Sequence, residues 1–535
     1  MCVAPATLRI AARRSALARI QAQLVARRLM DRFEGLAVEF QFRESLGDQN
    51  QSQPLWQMPE KGVFTEDLRT ELIGGGCDLV VHSWKDLPIE TGPETEVVAT
   101  LPRADAQDLL LVRQDRWAKV VATRRIDILT SSPRRIRNLP DFLREALPTK
   151  IDQVNFLPVR GNMQTRIKKM WDQEADGLIL AKAALDRLLE AEAEEYSETR
   201  VELRGALERC RWMVLPLLAS PSAPAQGALA IEIAAGRDDL RQMLAEINCV
   251  ATFDAVQRER QILKSHGGGC HQAIGVSVLI RPYGEVTVVR GLDQAGDDVS
   301  RTELVPVRPR PPRLDAGLLW SGSVAANEWF TREPILASRL ETEPEAGPKA
   351  GSKAGEAWWV ARADALPLDW PVAEQSGPSG NPAENEVKAV PIIWASGLRT
   401  WRRLAQRGIW VNGSAEGLGE QELPRLETLA GHRLDWIKLS HQDAGSSPDL
   451  PLLATYRLVP RNGRIVSGGP DDPEGREYFF WTSGSSFRQA IAVAPWLREK
   501  THFCGPGNTC QALVEAGIEP HVFLDQQQWL AEMSI

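Results

Sequence analysis

From Leu8 to about Val305 the chain alternates short apolar β-type runs with amphipathic helical stretches, and this alternation narrows its folds more than any other feature. LRIAARR (8–14) reads as a strand entering a helix whose apolar face carries Ala18, Leu24, Val25 and Leu29. CDLVVHS (77–83), ADGLILA (175–181) and GALAIEI (227–233) read as buried strands with helical sequence nearby. Strands interleaved with helices imply α/β domains with largely parallel sheets. At 535 residues the chain exceeds what one core supports, so about three to five domains are expected.

Beyond residue 305 the composition changes. RPRPPR (308–313), ETEPEAGPKAGSKAGE (341–356) and EQSGPSGNPAENE (374–386) are linker-like. About a dozen of the 17 tryptophans lie past residue 310, which suggests a separate module. That module contains an internal echo: PIIWASGLRTW (391–401) and YFFWTSGSSF (478–487) each read as an apolar strand ending in Ser-Gly before a helix. Second candidate units follow, GIWVNGSAEGL (408–418) and THFCGPGNTCQAL (501–513). A pseudo-duplicated α/β protein would place ligand groups at strand C-termini.

A net charge of −8 argues against general nucleic-acid binding. The opening residues lack a signal-peptide run and no stretch approaches a membrane span, so a cytoplasmic protein with no membrane partner is expected. Seven cysteines without a CxxC pair argue against zinc, a redox dithiol or a disulfide framework, and no metal is expected. One cysteine stands apart, in His266-Gly-Gly-Gly-Cys270-His271. Three glycines leave room beside the thiol, a setting that suits presentation to something bulky. Locally, a small loop cysteine accounts for the same residues.

Four polar clusters interrupt the apolar pattern: Arg13-Arg14-Ser15, Val81-His82-Ser83-Trp84-Lys85-Asp86, Thr130-Ser131-Ser132-Pro133-Arg134-Arg135, and Val159-Arg160-Gly161-Asn162 with Thr165 and Arg166. Each places guanidinium, hydroxyl or N–H donors at an expected helix N-terminus, where anions bind. Any one alone fits a solvated helix start. Together, in an acidic chain, they suggest a cleft for a small molecule with several carboxylates. Asp86 departs from that scheme; among so many cations it is expected to stay ionised and to serve a developing positive charge or a ligand N–H. An ion pair with Lys85 is the plainer alternative.

KGVFTEDL, HSWKDLP, TSSPRR, VRGNMQTR and GGGC, in this order over residues 6–305, resemble porphobilinogen deaminase (hydroxymethylbilane synthase). The resemblance implies three domains: 6–103 with 219–236, then 104–218, both like periplasmic-binding-protein domains, and a small α+β domain at 237–307 carrying the cofactor cysteine. It implies head-to-tail condensation of four porphobilinogen molecules, with release of ammonia, on a dipyrromethane primer attached to Cys270. It makes Asp86, Lys85, Arg13, Arg160 and Arg166 catalytic. Ser15, Lys61, Ser83, Thr130, Ser131, Ser132, Arg134, Arg135, Arg187 and Arg260 become cofactor-binding, and Asp48 a loop aspartate. Pro59-Glu60 stands where that family often has Gly-Gly, Gln57 where a lysine is common, and Ala16 where a proline is frequent.

Residues 308–535 more faintly resemble uroporphyrinogen-III synthase, through IIWASGLRTWRRLAQRGIWVNGSAEGL, LLATYRL, FFWTSGSSF and GNTCQALVEAGIEPHVF. AWWVARADALP (357–367) is a candidate opening strand. This resemblance implies cyclisation of the linear tetrapyrrole, with Tyr456 assisting departure of the hydroxyl and Ser396, Ser483 and Thr509 meeting carboxylates. A tyrosine in a β-run equally serves packing, and a noncatalytic scaffold fits the same residues. For the whole chain the rival is a two-domain polyanion-binding protein, against which GGGC, Asp86 and the missing secretion signal all count. A monomer acting on small molecules is expected.

Overall fold

In a computed structural model the described residues are 7–44, 66–90, 92–268, 272–312, 319–320, 330–335, 355–366, 391–420, 423–460 and 475–533. The chain forms two compact units, one of residues 1–280 and 287–302, the other of 281–286 and 303–535.

The first unit contains two five-stranded sheets of matching design. One runs Ala37–Arg43, Thr7–Arg13, Leu79–Ser83, Leu229–Ala234, Thr95–Ala99. The other runs Gln153–Leu157, Arg125–Leu129, Gly177–Ala181, Asp108–Arg113, Cys210–Leu215. In each, the first three strands are parallel and the fourth is antiparallel to both its neighbours or flanking strands. The GALAIEI strand is therefore an antiparallel member, contrary to the mostly parallel expectation.

The helix Ala16–Arg32 covers the first sheet with Ala18, Ile20, Ala22, Val25, Ala26 and Leu29, whereas Leu24 is only half-buried. Across the same sheet the antiparallel pairing buries Glu232. It accepts from Arg69 Nε at 2.8 Å and from Thr95 Oγ1 at 2.6 Å, and pairs with His82 Nε2 at 2.9 Å. Burial alone would raise the Glu232 carboxyl, but the bond from His82 and the charges of His82 and Arg69, aided by Thr95, bring it to about 2.

Helices Asp238–Ala245 and Val250–Ser265 lead to a three-stranded sheet, Ile274–Arg281, Gly284–Leu292, Asp298–Pro306. The fully buried Glu259 on the second helix accepts from both terminal nitrogens of Arg103, at 2.7 and 2.9 Å. Its oxygens also take the amides of Ala225 at 2.7 Å and Val278 at 2.8 Å. One carboxylate thus ties the helix to three distant segments.

The second unit has a six-stranded sheet ordered Phe330–Pro334, Leu452–Pro460, Leu434–His441, Gly355–Val360, Ile392–Ala395, Gly413–Ser414. Only the first pair is antiparallel. A four-stranded parallel sheet comprises Leu319–Trp320, Tyr478–Trp481, Thr501–Cys504 and His521–Val522. The echo in the sequence takes shape as two strand–turn–helix units, Ile392–Ala395 with Leu398–Gln406 and Tyr478–Trp481 with Gly484–Val493. The segment 408–418 yields only the two-residue strand Gly413–Ser414. Gly355 and Glu356, at the end of the linker-like stretch 341–356, already belong to a strand; 374–386 lies outside the described residues.

The smaller sheet buries His502 with both ring nitrogens engaged: Trp481 Nε1 donates to Nδ1 at 2.9 Å, and Nε2 meets Leu497 O at 2.8 Å. Burial pulls its pKa down from 6.5 to about 4. The unfolded chain therefore takes up this proton first as pH falls, so the contribution of His502 is complete above about 6.5 and lost on the way to about 4. We expect His502→Gln to remove roughly 3 kcal/mol of acid-induced destabilisation over that window. Thermal unfolding of both chains at pH 7 and 4.5 checks this; equal acid sensitivity would refute it.

Candidate active site

The chemistry gathers where the parallel strands of the first unit end, the customary ligand edge of open α/β sheets. The strand Thr7–Arg13 delivers Arg13 and Ser15, and Leu79–Ser83 delivers Ser83, Lys85 and Asp86. Arg125–Leu129 leads to Thr130–Ser132, and Gln153–Leu157 leads to Arg160. Helices begin at three of these ends: Ser15 caps 16–32, Ser132 caps 133–146 and Asn162 caps 163–172. At the fourth, Trp84–Asp86 is only a 3-10 turn, so the expected helix N-terminus there is absent.

Several hydroxyls already have work within the chain. Ser15 Oγ accepts from the amide of Ala18 at 3.4 Å, and Ser132 Oγ from that of Arg135 at 3.5 Å. Ser131 Oγ donates to Val159 O and accepts from Val159 N, both at 2.8 Å, which locks two strand ends together. Thr130 Oγ1 accepts from the amide of Ser132 at 3.3 Å. Ser83 Oγ exchanges bonds with the Gln21 amide at 2.9 and 3.0 Å. A capping hydroxyl keeps its own proton for a ligand.

The guanidiniums divide into two groups. Arg134 and Arg135 are buried and committed to Asp108: Arg134 Nη2 donates at 2.8 Å, Arg135 Nε at 3.0 Å and Arg135 Nη2 at 2.6 Å. Arg134 also donates to Pro221 O at 2.8 Å, and Arg135 to Ile179 O at 3.0 Å. The expectation that both present their charge to a cofactor meets this competing carboxylate. Burial would raise the Asp108 carboxyl, yet the two arginines and a bond from Gln226 hold it far below the usual range. Arg160 and Arg166 are only half-buried, and Arg160 Nη1 is a buried donor with no partner among the described residues.

Gly161 sets the relation of these two. Its φ of +118° is open to glycine, and a Cβ there would lie 2.5 Å from Thr165 Cγ2. Its carbonyl accepts from Arg166 Nε at 2.7 Å. Burial lowers the Arg166 pKa, Arg135 and Arg160 push the same way, and Asp86 opposes.

Lys85 and Asp86 belong to the same electrostatic neighbourhood. Burial lowers the Lys85 ammonium to about 8; Asp86 and Asp108 resist, while Arg135 and Arg166 add to the fall. Lys85 Nζ donates to Gln226 Oε1 at 3.3 Å, and Gln226 Nε2 donates to Asp108 Oδ1 at 2.9 Å. Asp86 itself is exposed.

Other expected residues hold the frame. Arg187 donates to Gly227 O at 2.7 Å, and burial brings its pKa to about 10. Arg260 braces the segment just past Asp86 through Leu87 O, at 3.2 Å, and Pro88 O. His82 turns away to Glu232. Cys270, Lys61 and Asp48 lie outside the described residues. In the second unit Tyr456 is 4% exposed; Ser396 Oγ donates to Ala361 O at 2.7 Å, Ser483 caps the helix Gly484–Val493, and Thr509 opens Asn508–Glu515. Sequence reasoning overlooked Asp108 and Gln226; an acid opening the apolar run DLLLV was the available signal.

Two α/β lobes thus carry Arg13, Lys85, Arg160 and the exposed Asp86 at the ends of their parallel strands. A family model described as "Porphobilinogen deaminase, dipyromethane cofactor binding domain" matches residues 8–242. Porphobilinogen deaminase of Syntrophomonas wolfei is 34% identical over 286 residues, 53% of this chain and 84% of that protein. The one from Bordetella parapertussis is 32% identical over 339 residues, 63% of this chain and 98% of its own. Among solved structures, the match to the periplasmic VFT2 domain of Bordetella pertussis BvgS covers 49% of this chain and 92% of that one at 14% identity, with a TM-score of 0.24.

The chain belongs to the porphobilinogen deaminase family. It is a hydroxymethylbilane synthase of tetrapyrrole biosynthesis and contains the family's dipyrromethane cofactor-binding domain. Among its described residues no helix is long and apolar enough to cross a membrane.

The residues present fit such a cofactor. The unpartnered Arg160 Nη1 and the half-buried, pKa-lowered Lys85 and Arg166 are donors for which a carboxylate-bearing group would compensate burial. Asp108→Asn should leave two buried guanidiniums undercompensated and cost about 3–5 kcal/mol. Urea unfolding measures it, and a loss below about 1 kcal/mol would mean that Arg134 and Arg135 do not depend on this carboxylate.

Proposed function

We propose that the chain joins four porphobilinogen molecules head to tail, releasing ammonia at each addition, with the dipyrromethane primer held through a thioether to Cys270. The observation that carries this reading is an exposed Asp86 sharing one electrostatic neighbourhood with Lys85, Arg160 and Arg166. Loss of ammonia from porphobilinogen leaves an electrophilic azafulvene, and positive charge develops on a pyrrole nitrogen. A carboxylate that faces solvent rather than a buried counterion is free to stabilise that charge and to move protons. A cleft that only bound anions would gain nothing from it.

The primer supplies the free pyrrole carbon from which growth begins. Arg13, Ser15, Arg160 and Arg166 would hold ring acetates and propionates, guanidinium against carboxylate being strong and directional. Thr130, Ser131, Ser132 and Ser83 shape the same strand ends. Arg134 and Arg135 act from behind, fixing Asp108 and through Gln226 the position of Lys85. Arg187 and Arg260 brace neighbouring backbone, and Lys61 with Asp48 would act from the segment 45–65.

Residues 308–535 are proposed to invert the last ring of the linear tetrapyrrole and close the macrocycle with loss of water. Supporting this are the repeated strand–Ser-Gly–helix units and the grouping of Tyr456 with Arg362, Arg332 and Ser440.

Intact mass and turnover test the first half together. Wild-type protein should exceed the bare chain by the primer, and Cys270→Ala should lose both the increment and most activity. Asp86→Asn should keep the increment but lower kcat about 100-fold or more, because the charge it answers forms only during reaction. Near-normal turnover of Asp86→Asn would reduce it to an ion-pair partner.

Product isomer tests the second half. Free hydroxymethylbilane closes to the type I isomer, so the full chain should give mostly uroporphyrinogen III and a chain ending near residue 310 type I. Tyr456→Phe should shift the product toward type I. Type I from the intact chain would make residues 308–535 a scaffold.

A further inference from the structure

In the second unit His441 ends the strand Leu434–His441 and pairs with Tyr456 on the parallel strand Leu452–Pro460. The register shifts between Ser440 and His441, so that Thr455 of the partner strand is passed over and His441 stands opposite Tyr456. The His441 and Tyr456 rings lie 6.0 Å apart, centre to centre, at 56°. From the other sheet, Ser485 at the start of the helix Gly484–Val493 brings its Oγ to 3.3 Å from His441 Nε2. The imidazole therefore bridges the ligand edges of two parallel sheets. Its Nδ1 is buried and has no hydrogen-bond partner among the described residues. His502 in the same unit, by contrast, has both ring nitrogens engaged.

We propose that His441 is a catalytic residue of macrocycle closure, acting with Tyr456 as a base–acid pair; this rests on the cyclase reading of residues 308–535. As the hydroxymethyl C–O bond breaks, the Tyr456 hydroxyl gives its proton to the departing oxygen, which leaves as water. The pyrrole nitrogen supplies the electron pair, and the α-carbon of the last ring that already carries a bridging methylene bonds to the exposed methylene. The older bond from that carbon to its bridge then breaks, assisted by the nitrogen of the neighbouring ring, and the freed methylene is bonded instead by the last ring's hydrogen-bearing α-carbon, which turns the ring over. The proton displaced from that ring carbon passes to His441 Nδ1. His441 returns it to the Tyr456 phenolate, so both residues end as they began and one water is lost overall.

Burial lowers the His441 pKa below its ordinary 6.5, leaving the ring neutral and able to accept a proton near pH 7. Arg362, Lys438 and Arg488 push the same way, while Asp443 opposes them; Tyr456 is the titratable group across the strand pair, and Ser485 is uncharged.

The test supplies hydroxymethylbilane directly to the full chain and follows the rate of type III formation from pH 5 to 8. Wild-type rate should fall as pH drops through the imidazole pKa. His441→Gln should slow type III formation on the order of 100-fold and flatten that profile. Ser485→Ala, which keeps the imidazole but frees Nε2, should slow it about 10-fold and shift the profile, and it serves alone if the glutamine variant does not fold. Wild-type rates and an unchanged pH profile in the folded variants would overturn the role of His441 while leaving the cyclase reading intact. Type I from the wild-type chain would overturn both.

Discussion

Asp108 is the point on which the site depends. It opens the antiparallel strand of the second lobe, is 1% exposed, and holds two arginines at once. A buried carboxylate is tolerated only when its charge and lone pairs are answered. Here Arg134, Arg135 and Gln226 answer them, and each partner also reaches another segment: Pro221 O, Ile179 O and Ala106 O. Lys85, next to Asp86, joins through the Gln226 amide. A structural ion cluster is thereby linked through Gln226 to Lys85, the chain neighbour of Asp86.

The arrangement explains why so many arginines sit at one edge of an acidic protein. Those facing inward stabilise the lobe. Of those left half-buried, Arg160 keeps a donor without a partner among the described residues, and burial gives Arg166 a lowered affinity for its own proton. Binding a carboxylate would offset the burial cost of both. Glu259 plays a comparable part for the third segment: its four hydrogen bonds from Arg103, Ala225 and Val278 hold the helix Val250–Ser265, whose end leads to His266 and the glycine-rich cysteine segment.

The second unit solves a related problem with aromatic and imidazole groups. Trp481, His502 and Phe479 stack within the small sheet. His502 is fully satisfied there and serves packing, whereas His441, at a strand end, keeps one nitrogen open. The same side-chain chemistry thus has different hydrogen bonding among the described residues, complete for His502 within the small sheet and partial for His441 at the end of its strand.

The order of residues alone was enough to place the candidate site residues at strand ends. Apolar runs interrupted by Arg13-Arg14-Ser15, Ser83–Asp86, Thr130–Ser132 and Arg160–Asn162 mark strand ends, because periodicity and capping are set by neighbours within one turn or one pleat. The family resemblance was legible for the same reason. Which arginine is committed to an internal carboxylate was not. Arg134 and Arg160 look alike in sequence, and only the packing of Asp108 against Arg134 and Arg135, across 26 and 27 residues, separates them. The bridge from His441 to Ser485 was equally hidden, since it joins two sheets over 44 residues. Hydrogen-bond and charge partners at such separations depend on strand order, a property of the folded sheet rather than of any local stretch.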